Sequence, residues 1–248
     1  MIPKKIHYCW FGGNKMPKSA VKCIKSWKKF FPDYEIIEWN EDNYDVKKNQ
    51  YIWEAYKMKK YAFVSDFARF DILYHEGGLY FDTDVEVIKN FDKIIQEGGF
   101  MGCEVDGSNE KQVPHGILVN PGLGLAAKPK LDLYKEIIEY YNQQKFLKPD
   151  GSMNMETVVT RTTDILMRHG LNDIKGIQKV AGITIYPADF FNPRNNNTGA
   201  LQKTENTHAI HWYSQSWVTT TDRLRSKLTR PFHRVFGEEC FEWLKKNK

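Results

Sequence analysis

Residues 61–86 constrain the fold of this chain more than any other stretch. Aromatic residues recur there at spacings of three and four, which predicts a helix with one buried stripe. The stripe consists of Phe63, Phe67, Phe70 and Tyr74. Gly77-Gly78 predicts the helix end, because the residue after the last helical turn often needs a positive φ. A short strand is expected next, at 79–81.

Charged residues cluster along this same stretch. Asp66 and Arg69 are three positions apart, so both lie on one flank of the helical stripe. Asp82 and Asp84 follow the predicted strand, and two carboxylates at a strand end supply hard oxygen ligands for Mg²⁺ or Mn²⁺. An Asp-x-Asp by itself is usually a solvated turn. Combined with the helix and the glycine turn, it indicates a metal site that neutralises a diphosphate.

Composition limits the class of protein. The chain has 248 residues, of which 41% are hydrophobic and 14% aromatic, which predicts one large globular domain. The net charge of +5 favours anionic ligands, and no nucleic-acid partner is expected. The four cysteines form no Cys-x-x-Cys, which predicts reduced thiols in a cytoplasmic protein. Neither a signal peptide nor a membrane-spanning segment is predicted.

The order of elements predicts an α/β fold. A strand at 5–11, a helix capped by Ser19 and ending at Phe31, and a strand at 34–39 favour a parallel sheet with crossover helices. Further helices are expected at 51–60, 131–141 and 157–169, and further strands at 100–105, 115–120 and 183–186. Residues 85–88 either continue the sheet or re-enter it. The strand at 115–120 ends at Asn120, and Pro121 to Gly124 after it is either a simple turn or a segment that faces the ligand crevice.

Three groups of residues resemble a known family. Ser65-Asp66-Phe67-Ala68-Arg69, Gly77-Gly78-Leu79-Tyr80 and Asp82-Thr83-Asp84-Val85 are similar to the core signature of the glycosyltransferases with an Asp-x-Asp sugar-binding motif, the family 32 type. Ile6 to Gly13 resembles the family's opening strand, and Ile210-His211 with Ser216-Trp217 resembles its closing motif. The family includes fungal α-mannosyltransferases and bacterial capsule and O-antigen enzymes, and clostridial glucosylating toxins share a related core.

The resemblance implies a GT-A fold, which is a Rossmann-like nucleotide-diphospho-sugar transferase fold. It would cover residues 1–221 as a catalytic domain, with a C-terminal helical tail at 222–248. The implied activity is retaining transfer of a hexose from a nucleotide-diphosphate sugar to a sugar hydroxyl during capsular polysaccharide or lipopolysaccharide synthesis. Some eukaryotic relatives have Thr-Gly-Pro where this chain has Asn154-Met155-Glu156, which weakens any transfer of their mannose specificity.

The resemblance also implies roles for individual residues. Asp66 and Arg69 would bind the donor sugar and, with Asp82 and Asp84, form the catalytic set. Asp82, Asp84 and His211 would hold Mn²⁺ or Mg²⁺, with His208 as a competing ligand, and Asp82 would also contact ribose. The remaining roles are nucleotide binding by Tyr8, Cys9 and Trp10, donor-sugar binding by Asn120, and diphosphate binding by Ser216 and Trp217.

Alternative functions remain open on the sequence. The resemblance of the Trp10 pocket to that of the toxins implies UDP, and a GDP-mannose-dependent mannosyltransferase is the alternative. A glycoside hydrolase pair is disfavoured, because Asp82 and Asp84 are too close in sequence to bracket a sugar ring. A non-catalytic protein that binds an anionic polymer through Trp10 and the basic tail is the alternative from another class.

The tail at 222–248 holds nearly all of the net positive charge. Its apolar residues recur at helical spacing with basic residues between them, which is typical of a helix lying on an anionic membrane. These apolar residues are Leu224, Leu228, Phe232, Val235 and Phe236. The hypothesis is peripheral association with the inner face of the cytoplasmic membrane, near a glycan or lipid-linked glycan acceptor. A helix packed on the catalytic domain is the alternative. The residues indicate no oligomeric state.

Overall fold

The structure is a computed structural model that describes residues 1–107, 116–195 and 198–214. Ser216, Trp217 and the tail at 222–248 lie outside the described residues. The helices are α1 (Lys18–Phe30), α2 (Gln50–Lys57), α3 (Tyr61–Glu76), α4 (Asp92–Gln96), α5 (Asp132–Asn142), α6 (Val158–Arg168) and α7 (Ala188–Phe191). The strands are β1 (Lys5–Cys9), β2 (Glu35–Trp39), β3 (Gly78–Tyr80), β4 (Val85–Val87), β5 (Gly99–Asp106), β6 (Ile117–Ala127), β7 (Gln178–Val180), β8 (Ile183–Tyr186) and β9 (Ala209–His211).

A seven-stranded mixed sheet in the order β2-β1-β3-β6-β5-β8-β7 forms the centre of the protein. Strand β1 pairs in parallel with β2 and β3, as the strand-helix-strand order predicts. The expectation of a parallel sheet is wrong for β6, which runs antiparallel to both β3 and β5. The connection from β5 to β6 spans only 107–116, which is too short for the crossover helix that a parallel return requires.

The strand end predicted at Asn120 is also wrong, because β6 runs on through Pro121 to Gly124 as far as Ala127. The ladder pairs Gly102 with Asn120 and Met101 with Leu125, so residues 121–124 are unpaired with β5. Proline lacks an N–H group and cannot donate a ladder hydrogen bond. Because residues 121–124 are unpaired with β5, the strand can contain Pro121 without losing such a bond. This break in the pairing directs this part of β6 toward the end of β3.

Three smaller expectations need correction. Residues 85–87 form β4, which pairs with β9 in a separate two-stranded sheet rather than in the main one. The segment 176–191 contains a second strand, β7, and the short helix α7 besides the expected strand. Helix α1 begins at Lys18 after Pro17 and has no side-chain cap, so Ser19 does not cap it.

Helix α3 fulfils the prediction made for residues 61–76. Phe63, Phe67 and Phe70 are buried, and Gly77 ends the helix with a φ of 65°. A Cβ added at Gly12, just after β1, would overlap the ring of Tyr61 at the start of the helix. At the other end of the helix, Glu76 accepts a hydrogen bond at 2.7 Å from Lys5, at the start of β1. The helix therefore runs antiparallel to β1, and its first half lies at the carboxyl edge of the parallel strands.

Two clusters of buried side chains hold this arrangement together. One joins α2, α3, α5 and α6 to the sheet, and the other packs α1 against β4 and the aromatic residues around Phe91. Among the described residues, Cys9, Cys23 and Cys103 are buried and free. In the part of the chain that the structure describes, no helix is long and apolar enough to cross a membrane.

Candidate active site

The two-stranded sheet brings His211 to the Asp-x-Asp loop. Val85 pairs with His211 across β4 and β9, which places the imidazole beside Asp84 although the two residues are far apart in sequence. Each of Asp82, Asp84 and His211 offers a ligand atom, and these atoms lie within 4.8 Å of one another. The fold therefore assembles two carboxylates and one imidazole at the end of β3.

Asp84 is the most extensively bonded member of this group. Its Oδ1 lies 2.9 Å from His211 Nε2, and its Oδ2 accepts hydrogen bonds from Ser214 N at 2.7 Å and Ser214 Oγ at 2.9 Å. Burial acts to raise the pKa of Asp84, but the His211 charge and the Ser214 bonds outweigh it and hold that pKa below its usual range. Burial acts to lower the pKa of His211, and Asp84 raises it overall. A positive charge is thus strongly favoured beside the Asp84 carboxylate.

Two oxygen donors and one imidazole nitrogen form a ligand set that fits Mn²⁺. The His211–Asp84 ion pair already places a positive charge beside the carboxylates. A bound divalent ion would supply that charge in its place, and His211 would have to be neutral to act as a ligand.

Arg69 links the second carboxylate of the motif to α3. It is 3% exposed, and its Nη2 lies 2.9 Å from Asp66 Oδ1 and 3.3 Å from Asp82 Oδ1. Its Nε donates to the backbone oxygen of Ser65 at 3.0 Å, and Tyr80 donates to Asp82 Oδ1 at 3.1 Å. The predicted neighbours Asp66 and Arg69 therefore form an ion pair that also reaches Asp82.

Burial determines the titration of these carboxylates. It raises the pKa of Asp66 to about 7, although the Arg69 charge opposes the change. Burial also raises the pKa of Asp82, again against the charge of Arg69. Two carboxylates share one guanidinium here, so a further cation is electrostatically favoured beside Asp82.

Asn120 lies next to Asp82 because β6 passes under the Asp-x-Asp loop. Its Oδ1 accepts a hydrogen bond from Gly122 N at 2.7 Å, and its Nδ2 donates to Glu104 Oε2 at 2.8 Å. A Cβ added at Gly122 would overlap the carboxylate of Asp82. Sequence reasoning missed Glu104, because it belongs to no motif and only strand pairing brings it to the site.

A cavity of about 470 Å³ opens at the carboxyl ends of β1 and β2. Trp10 lines it together with Asn14, Glu38 and Tyr56, and Trp10 Nε1 donates to the Asn14 backbone oxygen at 2.6 Å. The cavity lies at the sheet edge where open α/β folds bind ligands, and nucleotide binding by Trp10 stays a prediction.

Tyr8 and Cys9 lie on opposite faces of β1, because side chains alternate along a strand. The ring of Tyr8 packs on Trp27 with centroids 5.7 Å apart, while its hydroxyl donates to Glu38 Oε2 at 2.6 Å. Burial raises the pKa of Cys9 to about 12, and the thiol lies near Arg69 and Tyr80. Tyr8 thus reaches the cavity through Glu38, and Cys9 lies beside the Arg69 network.

His208 has different surroundings from His211. Its ring stacks on Phe190 at 6.1 Å between centroids and meets Phe91 at 5.3 Å, and burial lowers its pKa. Of the two histidines left open by sequence analysis, His211 is the one beside the carboxylates. The other predicted site residues, Ser216 and Trp217, are not among the described residues.

The mixed α/β sheet and the Asp-x-Asp loop at the end of β3 agree with the GT-A fold that the resemblance implies. Residues 17–101 match the family described as the glycosyltransferase sugar-binding region containing the DXD motif. Over the part of the chain that they cover, these matches support a glycosyltransferase of the DXD-containing, family 32 type.

Curated relatives support this assignment over part of their length. The chain is 32% identical over 98 residues to inositol phosphoceramide mannosyltransferase 3 of Schizosaccharomyces pombe, covering 38% of this chain and 27% of the relative. It is 26% identical over 191 residues to the initiation-specific alpha-1,6-mannosyltransferase of Candida albicans, covering 71% of this chain and 46% of the relative. The chain thus spans less than half of the length of either relative.

Among solved structures, the galactosyltransferase LgtC with donor and acceptor sugar analogues shares 15% identity, with a TM-score of 0.46. The alignment covers 90% of this chain and 92% of LgtC. These values are too low to carry any part of the family assignment.

Proposed function

We propose that this protein is a metal-dependent, retaining glycosyltransferase that moves a hexose from a nucleoside-diphosphate sugar to a sugar hydroxyl. The observation that carries the proposal is the group formed by Asp82, Asp84 and His211, whose ligand atoms lie within 4.8 Å of one another. Arg69 reaches Asp82 of this group, and the Trp10 cavity opens after β1, the parallel neighbour of β3, at the same carboxyl edge of the sheet.

Asp82, Asp84 and His211 would hold the ion, and the imidazole nitrogen favours Mn²⁺ over Mg²⁺, which prefers oxygen ligands. When bound, the ion neutralises the departing diphosphate. Arg69 is fixed between two carboxylates, and its Nη1 is buried without a hydrogen-bond partner among the described residues. That N–H group can donate to the donor, while Asp66 accepts from sugar hydroxyls.

In the proposed step, the acceptor hydroxyl oxygen forms a bond to the anomeric carbon as the bond from that carbon to the diphosphate oxygen breaks. The hydroxyl proton passes to the departing phosphate. The described carboxylates around the site are engaged: Asp66 by Arg69, Asp84 by His211 and Ser214, and Glu104 by Asn120. This engagement favours same-face attack, assisted by the phosphate, over a covalent enzyme intermediate.

The Trp10 cavity supports a UDP-sugar as donor, because an indole face at a nucleoside site suits the flat uracil ring. The alternative is GDP-mannose, and the mannosyltransferase names of the two fungal relatives favour it. Calorimetry with UDP and GDP, each with and without Mn²⁺, tests the donor class. We expect tight, Mn²⁺-dependent binding of UDP.

The same titration tests the function as a whole. Binding of neither nucleotide in the presence of Mn²⁺ would contradict the proposal. Metal-independent binding of a polyanion such as heparin would then favour the non-catalytic alternative.

The acceptor is proposed to be a glycan or lipid-linked glycan of a capsule or lipopolysaccharide, at the inner face of the cytoplasmic membrane. The basic tail at 222–248 supports this location, since each basic residue near an anionic surface contributes on the order of 1 kcal/mol. Flotation with anionic liposomes, comparing the full chain with a version ending at Thr221, tests it. Equal flotation of both, or of neither at low salt, would exclude the tail as a membrane anchor.

A further inference from the structure

A second cavity, of about 350 Å³, opens on α6 beside Tyr140 of α5. Its lining consists of Tyr140, Arg161, Asp164, Ile165, Met167 and Arg168. We refer to it as the Arg161 cavity. It belongs to neither the Trp10 cavity nor the metal-ligand group.

The polar group that marks this cavity is the guanidinium of Arg161. It is 2% exposed, and the rings of Tyr51, Tyr140 and Tyr141 surround it at 5.1, 5.5 and 5.0 Å from the guanidinium carbon. Its Nη2 lies 3.3 Å from the Glu156 carboxylate, yet neither terminal nitrogen has a hydrogen-bond partner among the described residues. Buried N–H groups without partners are costly, and ligand oxygens would satisfy them.

The Arg161 cavity adjoins the donor-sugar end of the candidate active site. Tyr141 packs edge-on against Phe67 at 5.8 Å, and Phe67 follows Asp66 on α3. Burial raises the pKa of Tyr141, and the charges of Asp66, Arg161 and Arg69 also act on it. Tyr141 therefore lies between the cavity and the residues proposed to hold the donor sugar.

A hydrogen bond between β6 and α6 also fixes α6 beside the site. The hydroxyl of Thr163 accepts a hydrogen bond from Val119 N at 2.9 Å, one residue before Asn120. Arg161 lies half a turn earlier on α6. The first part of this helix thus flanks the carboxyl edge of the sheet, where an acceptor must approach the donor.

The charges around the cavity favour a neutral ligand. Arg161 and Arg168 line the cavity with positive charge and Asp164 lines it with negative charge, while Glu156 and Glu136 lie 3.3 and 3.7 Å from the two arginines. A free anion would gain little beside arginines that already face carboxylates. Tyr140 offers a half-exposed aromatic face, on which the C–H face of a sugar ring can pack. Guanidinium and carboxylate groups can bond the ring hydroxyls.

From these observations we infer that the Arg161 cavity binds a neutral sugar unit of the acceptor glycan. The inference rests on the proposed glycosyltransferase function and extends it to the acceptor. Arg161 would donate to sugar oxygens, and Tyr140 would support the ring.

Saturation-transfer NMR with lactose, maltose and cellobiose tests the inference without any donor or metal. We expect the wild-type chain to bind at least one of these disaccharides. Arg161→Met, Tyr140→Ala and the cavity-filling Met167→Trp should each weaken that binding at least tenfold. Lys135→Met, an exposed cation on α5, is the matched control and should leave binding unchanged. Arg161→Lys serves if Arg161→Met does not fold.

The outcomes separate this inference from the function on which it rests. Absence of binding by all three disaccharides, or binding that is unchanged by Tyr140→Ala and Met167→Trp, would overturn it. Arg161-dependent binding of inorganic phosphate or glucuronate in place of the disaccharides would also overturn it, because the cavity would then be an anion site. Asp84→Asn should keep disaccharide binding while it loses Mn²⁺-dependent nucleotide binding. Disaccharide binding by a wild-type chain that binds no nucleotide in the presence of Mn²⁺ would refute only the proposed function.

Discussion

Arg69 and Arg161 are both almost completely buried, at 3% and 2% exposure, yet their surroundings differ. Arg69 lies between the carboxylates of Asp66 and Asp82, with a single tyrosine ring, that of Tyr80, at 5.0 Å. Arg161 lies among three tyrosine rings, and its only carboxylate partner among the described residues, Glu156, has a side chain that is 36% exposed.

The difference shows two uses of a buried guanidinium. A cation held by two carboxylates is already oriented, so it can fix the geometry of the metal group before any ligand binds. A cation surrounded by aromatic rings is stabilised by their faces while its N–H groups stay available for ligand oxygens. The first arrangement suits the reacting centre, and the second suits a binding surface.

The largest expected effect is on catalysis at the proposed metal group, next to Arg69. Asp84→Asn removes a carboxylate from the proposed metal group, and we expect Mn²⁺-dependent hydrolysis of the donor to fall on the order of a thousandfold, which corresponds to several kcal/mol. Release of nucleotide from UDP-hexose measures this, with Lys135→Met as the control. Full activity of Asp84→Asn at saturating Mn²⁺ would refute the metal assignment.

Stability should distinguish the two arginines directly. Arg69→Met leaves Asp66 and Asp82 buried without a cation, and we expect a loss of about 3–5 kcal/mol in the free energy of unfolding. Arg161→Met removes mainly cation–π contacts, so we expect a smaller loss of about 1–2 kcal/mol. Urea denaturation of both variants measures the difference.

An equal loss for the two variants, or a larger one for Arg161→Met, would contradict the comparison. It would mean that the tyrosine-enclosed cation is as strongly paired as the one between the carboxylates.

His7 shows how a buried group behaves when it is fully paired but neutral. One ring nitrogen accepts from Trp39 Nε1 at 3.0 Å, and the other lies 2.9 Å from the Gly77 oxygen and donates to it, which requires the neutral ring. Burial lowers its pKa from 6.5 to about 4. The unfolded chain therefore takes up the proton first as the pH falls.

Stability from His7 is thus fully present above about pH 6.5 and is lost as the pH falls toward 4. The loss should reach about 3 kcal/mol, because each pKa unit corresponds to about 1.4 kcal/mol. Urea midpoints measured from pH 7 to pH 4 should depend less on pH in His7→Gln than in the wild type. His75→Gln, which removes a half-exposed histidine, should keep the wild-type dependence. An unchanged slope in His7→Gln would refute the assignment.

The smallest expected effect tests how rigidly the Asp82 carboxylate is held beside Arg69. Gly122→Ala places a methyl group on the Asp82 carboxylate, and we expect Mn²⁺ affinity to fall about 10- to 100-fold, as for other changes next to metal ligands. Gly102→Ala is the matched control, because its methyl group would meet the Phe191 ring instead. Calorimetric Mn²⁺ titration compares them, and equal affinities in the two variants would show that Asp82 is free to move.

Much of the Asp-x-Asp region was predictable because its interactions are local. The stripe of Phe63, Phe67 and Phe70 follows from helical periodicity, and the contact between Asp66 and Arg69 follows from their spacing of three. Gly77 marked the helix end through its backbone freedom. The resemblance to a family added His211, which the residues alone left open against His208.

The sequence by itself therefore determined the α/β class, helix α3 and the position of the Asp-x-Asp loop, since each depends on neighbours within a few residues. Only the tertiary structure decided which way β6 runs, that Gly122 lies against Asp82, and that Arg161 meets tyrosines from α2 and α5. These contacts depend on the length of one connection and on the packing of distant elements. No short-range pattern encodes such contacts, because the burial that stabilises them exists only when the whole sheet and its helices have assembled.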